Sequence, residues 1–229
     1  MAQKIEELIK LPLKNDREIE RVEIIMLKYK VPEVETKAVH NIIAHTDWPF
    51  KLVAFDNRPN PANMSKIWNK LIRESTCDYI CIIDSDAFVP KLEPCWLTRL
   101  METLKREKAG AVLPVTQIGG AGNPAQCVDG PKDLPPFNTD APAAGFCFLF
   151  KKEIIQEIGW FDENYYIYGQ DSDWFKRLLD VGYKIWIRPD VFVEHKTNTS
   201  IKKAEEEGLV DLEEDFEWRK KYWAKKYET

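Results

Sequence analysis

Apolar positions along the chain switch between two periods, and the switch marks out its elements. Val22 to Leu27 (VEIIML) is a short apolar run that reads as a strand leaving the core into Lys28-Tyr29-Lys30. After Pro32-Glu33, Val34, Ala38 and Ile42 recur on one helical face, with Val39 and Ile43 beside them. Lys51 to Asp56 (KLVAFD) is a second strand, ending in the turn-forming Asn57-Arg58-Pro59-Asn60-Pro61. Met64, Ile67, Trp68, Leu71 and Ile72 then follow the spacing of an amphipathic helix. Tyr79 to Ile83 (YICII) is apolar on both faces, as a central strand is, and runs straight into Asp84-Ser85-Asp86. A helix with Leu97, Leu100, Met101 and Leu104 on one face follows, then a strand at Ala109 to Val115. This alternation predicts an α/β domain with a mainly parallel sheet, flanking helices and right-handed crossovers.

Residues 119–143 break the rhythm with Gly119, Gly120, Gly122 and Gly130 and five prolines, and predict a long functional or mobile loop. The triplet of glycines lacks GxGxxG spacing and a following helix, so it is a poor dinucleotide loop. Gly145 to Phe150 reads as a buried strand. Ile154, Ile155 and Ile158 mark a short helix capped by Gly159, and Trp174, Phe175, Leu178 and Leu179 a longer one closed by Gly182. Lys184 to Ile187 and Val191 to Glu194 read as two short strands. The last thirty residues read as one charged helix carrying Leu209, Leu212, Phe216, Tyr222 and Trp223.

Composition narrows the class. At about 150 residues per domain, 229 residues suggest one domain spanning 1–229. Lys+Arg 33 against Asp+Glu 38 gives a net charge of −5, which argues against holding bulk nucleic acid by its phosphates. The apolar runs are too short to span a bilayer, and the first ten residues carry Glu6 and Glu7 without the apolar stretch of a secretory signal. The expectation is a soluble, cytoplasmic protein. The five cysteines include no CxxC pair and read as buried apolar residues. Aromatic residues reach 12%, and many lie among acidic residues in the second half.

Three clusters carry candidate chemistry. Asp84 and Asp86 lie beyond the end of a central strand, where ligands bind in open α/β sheets. At a turn the two carboxylates can converge on a hard divalent cation; the plain alternative is an acidic, solvated turn. Asp171 and Asp173 sit in the first turn of a helix within the aromatic stretch Trp160 to Trp174, where helix capping competes with sugar binding. His195 ends a strand, while His40 and His45 lie on or after an ordinary helix and read as structural.

The order of these features resembles the family 2 glycosyltransferases of GT-A fold over roughly residues 20–200. The strongest part is AAGFCFLFKKEIIQEIGWFDENYYIYGQDSDWFKRLLDVGYKIWIRP followed by VFVEH. The resemblance implies a nucleotide-sugar half at about 20–110, an acceptor half at about 111–200 and a helical tail at 201–229. It implies Asp84, Asp86 and His195 as ligands of Mn²⁺ or Mg²⁺, and Asp171 as catalytic base, with Gln170 standing where Glu is usual. Tyr29, Asp56, Arg58, Asn69 and Asp84 are implied contacts of a nucleotide-diphosphate sugar, a UDP-sugar foremost. Trp160, Tyr168, Asp173 and Trp174 are expected to meet the acceptor or support the base; capping is the stronger role for Asp173, and core packing for Trp174.

The implied reaction is inverting transfer to a hydroxyl of a glycan, lipid, protein or modified base. A metal-independent glycoside hydrolase, a nucleotide-sugar pyrophosphorylase and a non-catalytic relative are the rivals. The pyrophosphorylase would need a Gly-rich basic loop where LKYK stands. The tail ends basic, with Trp218, Tyr222, Trp223 and Tyr227 interleaved. Packing on the domain is the stronger reading for it, and peripheral contact with an anionic membrane the weaker.

Overall fold

The computed structural model describes residues 5–10, 20–58, 63–117, 123–196 and 199–228, with the backbone alone for 5–10 and Thr199. The GGAG stretch, the prolines of the turn after Arg58, and Thr197-Asn198 fall outside these residues. The strands are β1 (Ile5–Lys10), β2 (Val22–Lys28), β3 (Phe50–Asp56), β4 (Tyr79–Asp84), β5 (Ala87–Phe88), β6 (Ala111–Gln117), β7 (Cys127–Val128), β8 (Phe137–Thr139), β9 (Cys147–Lys151), β10 (Ile185–Phe192) and β11 (Glu194–His195). The helices are α1 (Pro32–His45), α2 (Met64–Glu74), α3 (Trp96–Arg106), α4 (Ile155–Ile158), α5 (Gln170–Asp180), α6 (Thr199–Glu206) and α7 (Leu212–Tyr227).

The main sheet has the order β1-β3-β2-β4-β9-β6-β10-β8, with β7 beside β6. Strands β2, β3, β4, β6 and β10 run the same way, so their carboxyl ends share one edge. β9 runs antiparallel between β4 and β6, a reversal that the alternating pattern alone does not reveal. Its amino end therefore lies at that same edge. β1, not foreseen from its charged composition, pairs antiparallel with β3.

Period-2 alternation sorts the central strands onto two cores. Ile24, Met26, Cys81 and Ile83 pack on one face with Ala38 and Ile42 of α1 and Leu97, Leu100 and Met101 of α3. Ile25, Ile80 and Ile82 pack on the other with Ile67, Trp68 and Leu71 of α2 and Trp174, Phe175 and Leu178 of α5. The result is a sheet between two helical layers. Four of the cysteines are buried, Cys127 is half-buried, and all five are free. His45 shares the Val89 carbonyl with Asn41, a structural tie.

Two expectations are corrected. The pair of short strands expected at 184–187 and 191–194 is one strand, β10, over Ile185–Phe192, with an irregularity between Arg188 and Phe192 that keeps it paired with β6, while Glu194 begins β11. The single terminal helix is two, because Gly208 adopts a left-handed φ of 68° and turns the chain. α7 is held down at its end. Lys226 Nζ lies 2.7 Å from Asp162 and 2.5 Å from Asp173, the Tyr227 hydroxyl donates to Asp173 (2.7 Å), and the Tyr222 hydroxyl donates to Asp162 (3.0 Å). Tyr222 and Trp218 also meet the buried Tyr165 edge-on. Among the described residues no helix is long and apolar enough to cross a membrane.

Burial would raise the Asp162 carboxyl, but Lys226 and the hydrogen bonds of Asn164 and Tyr222 outweigh it and hold it at about 2, below the ordinary 3.8. The stability this latch supplies is therefore full above pH 3.8 and lost as pH falls towards 2. Lys226→Met should cost about 1–3 kcal/mol at neutral pH, because Asp173 is fully buried and loses a charged partner. The difference in Tm between the variant and the wild type should shrink as pH drops through that window. A difference independent of pH would show that the latch is not electrostatic.

Candidate active site

β4 delivers Asp84 to the edge of the sheet, and the chain turns at once through Ser85 and Asp86. β5 then pairs antiparallel with β11, setting His195 opposite Ala87, and the Lys196 N–H donates to the Asp86 carbonyl (3.0 Å). His195 Nε2 lies 3.4 Å from Asp84 Oδ2 and 3.3 Å from Asp86 Oδ1. Gln117 at the end of β6 accepts from the His195 N–H (3.1 Å) and donates to its carbonyl. Phe146 stacks on the imidazole at 5.0 Å.

Burial would lower the His195 imidazolium, but the Asp84 and Asp86 carboxylates raise it to about 10. Asp84 is pushed up by burial and by the charges of Asp86 and Asp171, and the His195 hydrogen bond only partly offsets this. Its side chain keeps 38% exposure because it opens into a cavity. The two carboxylates and the imidazole present ligand atoms all within 4.8 Å of one another.

Asp171 stands in the first turn of α5 facing the same cavity. Its Oδ2 accepts from the Gly145 N–H (2.7 Å) and its Oδ1 from the Ser172 N–H (2.8 Å). Burial raises this carboxyl and the two N–H groups partly offset the rise. Gly145 is required by close approach, since a Cβ there would lie 2.6 Å from Asp171 Cβ. The cavity holds about 610 Å³ and is also lined by Tyr29, Asn57, Ser85, Asn123, Tyr168, Gln170 and Arg219.

The other sequence candidates go elsewhere. Asp56 is engaged by Arg58 (Nε to Oδ1 2.8 Å), which keeps its carboxyl low, and Arg58 also approaches Glu35. Neither is among the residues lining the cavity. Asn69 is buried and pairs with the backbone of Phe161 and with Glu163, tying α2 to the loop before α5. Asp173 is two residues past Asp171, about 200° round the helix, and so faces α7 and Arg177 instead of the cavity. Its carboxylate is engaged by Arg177, Lys226 and Tyr227. Trp174 is fully buried between Phe150 and Phe161. Trp160 lies under Arg73 near the surface. Of the four acceptor-or-support residues, only Tyr168 lines the cavity.

Residues 5–159 match the family described as Glycosyl transferase family 2. This chain belongs to that family. Its fold is shared with solved structures of low identity. GalNAc-T7, crystallised with UDP, GalNAc and Mn²⁺, aligns with a TM-score of 0.58 at 13% identity over 79% of this chain and 44% of that one. TarS 1-349 of S. aureus aligns with a TM-score of 0.56 at 14% identity over 80% of this chain and 63% of that one. The chain thus spans less than two thirds of either. No curated protein matches it. The likeness establishes the GT-A fold for this family 2 domain.

In this glycosyltransferase-family domain, Gln117, Gly145, Asn57 and Arg219 were not recognisable from sequence as site residues. Gln117 ends a strand like any polar residue, and Gly145 shows its purpose only once Asp171 is placed against it. Two carboxylates and one imidazole suit Mn²⁺ or Mg²⁺. The 3.3 and 3.4 Å separations at His195 are close to the ~3 Å between adjacent ligands of a six-coordinate ion with bonds of ~2.1 Å.

Because His195 holds a proton up to about pH 10, a cation binding at Nε2 must displace it. Mn²⁺ affinity should therefore rise about tenfold per pH unit between pH 6 and 8, with about one proton released. Calorimetry in buffers of different ionisation enthalpy measures that proton, and a pH-independent affinity would remove His195 from the ligand set. Gly145→Ala should cost about 1–3 kcal/mol in thermal unfolding, as for overpacking, because the new methyl meets Asp171.

Proposed function

We propose that this domain transfers a sugar, with inversion, from a nucleotide-diphosphate sugar to a hydroxyl acceptor in a reaction dependent on a divalent cation. The observation that carries this reading is that Asp84, Asp86, His195 and Asp171 face one cavity at the carboxyl edge of the sheet. Asp84, Asp86 and His195 would hold Mn²⁺ or Mg²⁺, which when bound supplies positive charge where the departing diphosphate gains negative charge. A UDP-sugar is favoured, in line with the UDP and Mn²⁺ of the GalNAc-T7 structure. Residues of about 20–110 supply the donor side, with Tyr29 and Asn57 lining it. Asp56 and Arg58 fix the turn beside Asn57. Residues of about 111–200 supply the acceptor side, with Tyr168 at its wall, and the tail closes the cavity through Ser200, Ile201, Val210 and Arg219.

Asp171 takes the proton from the acceptor hydroxyl. The acceptor oxygen bonds to the anomeric carbon from the face opposite the leaving diphosphate, whose bond to that carbon breaks. Burial raises the Asp171 carboxyl, which improves its match to this task, and the N–H groups of Gly145 and Ser172 stabilise its charged form. Walls that exclude water protect the donor from hydrolysis.

Asp171→Asn should reduce transfer by about 10²–10⁴ with UDP–Mn²⁺ binding near wild type. EDTA should stop transfer by the wild type. Transfer that survives Asp171→Asn at a tenth of the wild-type rate rules out Asp171 as the base, and transfer that survives EDTA rules out the cation.

A further inference from the structure

Arg219 is, among the described residues, the one Lys or Arg that lines the cavity. Other arginines of the fold are matched to carboxylates: Arg58 to Asp56, Arg99 and Arg188 to Asp190, and Arg177 to Asp173. Among the described residues Arg219 has no carboxylate within ion-pair distance. It is held instead by shape. Its guanidinium lies 5.7 Å from the Tyr168 ring centre and 5.3 Å from that of Phe216. Its stem crosses Gly169, where a Cβ would lie 2.8 Å from Arg219 Cδ. Gly169 has φ 99° and directly precedes α5, so any other residue there would be strained and would obstruct the arginine.

The backbone beneath is pinned to the same helix. Four residues before Arg219, the Asp215 carboxylate accepts from the Ile167 N–H (3.2 Å). The Lys226 and Tyr227 contacts to Asp173 hold the far end of α7. Arg219 is thus a positioned cation, its stem crossing Gly169, which lies two residues before Asp171.

Its charge reaches the Asp171 and Asp215 carboxyls and favours their ionised forms, but among the described residues no carboxylate contacts it directly, and its planar donors suit a phosphate or carboxylate. We propose that Arg219 binds an anionic oxygen group of the acceptor, so that the acceptor is a hydroxyl compound bearing a phosphate or carboxylate close to the hydroxyl that receives the sugar. The proposal rests on the transferase reading given above. The diphosphate of the donor is met at the Asp84–Asp86–His195 end of the cavity, whereas the arginine stands over the start of the helix that carries the base. Anchoring the acceptor there sets its hydroxyl beside Asp171 and draws the tail onto the bound substrate.

The test titrates the protein saturated with UDP and Mn²⁺ with glycerol 3-phosphate, glycerate and glycerol, read by calorimetry. One of the two anions should bind at least about tenfold tighter than glycerol, and which one it is separates phosphate from carboxylate recognition. Arg219→Gln should abolish that preference and Arg219→Lys retain part of it, with UDP–Mn²⁺ affinity within about twofold of wild type in both. Thermal melting establishes that the variants are folded. Anions binding no better than glycerol, a preference that survives Arg219→Gln, or a tenfold loss of UDP–Mn²⁺ affinity in that variant would each overturn the proposal. Absence of UDP–Mn²⁺ binding to the wild type would instead overturn the transferase reading, and the same titration of the nucleotide-free protein would still report on Arg219.

Discussion

Three carboxylates, Asp84, Asp86 and Asp171, are gathered at one cavity, and their mutual repulsion is the constraint that the surrounding structure answers. Desolvation adds to the cost, since each charge has given up water. The fold offsets it locally and differently at each group. His195 stands between Asp84 and Asp86 as an imidazolium, while two backbone N–H groups serve Asp171. A divalent cation would take over the role of the His195 proton, which makes metal occupancy and protonation alternatives at one site.

Topology makes this gathering possible. The reversal of β9 brings its amino end to the edge where β4 ends, so the Asp84 N–H donates to the Phe146 carbonyl (2.8 Å) and Gly145 lies against Asp171. Phe146 then stacks on His195. A parallel β9 would place that loop at the opposite edge of the sheet. The antiparallel strand therefore links the candidate metal ligands to the proposed base through a few residues of backbone.

The tail completes the cavity by a second set of charges. Asp173 is grouped with Asp171 from sequence, yet it and Asp162 are both engaged by Lys226 and tyrosine hydroxyls, and Asp173 by Arg177 as well. They hold α7 in place and so deliver Arg219. Part of the aromatic excess of the second half belongs here too: Tyr165, Trp218 and Tyr222 pack the tail to the domain, and Trp174 packs the core. Of the aromatic residues near the base, Tyr166 and Tyr168 line the cavity.

The sequence by itself determined the alternation of strands and helices, the two-faced burial of Tyr79 to Ile83, the family, and the position of Asp84-Ser85-Asp86 at a strand end. These follow from local periodicity and from motifs contiguous in the chain. It did not determine the direction of β9, because an apolar strand buried on both faces reads the same either way. Nor did it separate Asp171 from Asp173, which differ only in their angle about the helix axis. Only the tertiary structure decided that one faces the cavity and the other the tail, that Asn69 ties α2 to a loop, and that Arg219 reaches the site. Those outcomes depend on contacts between residues 26 to 94 positions apart, and no local pattern encodes them.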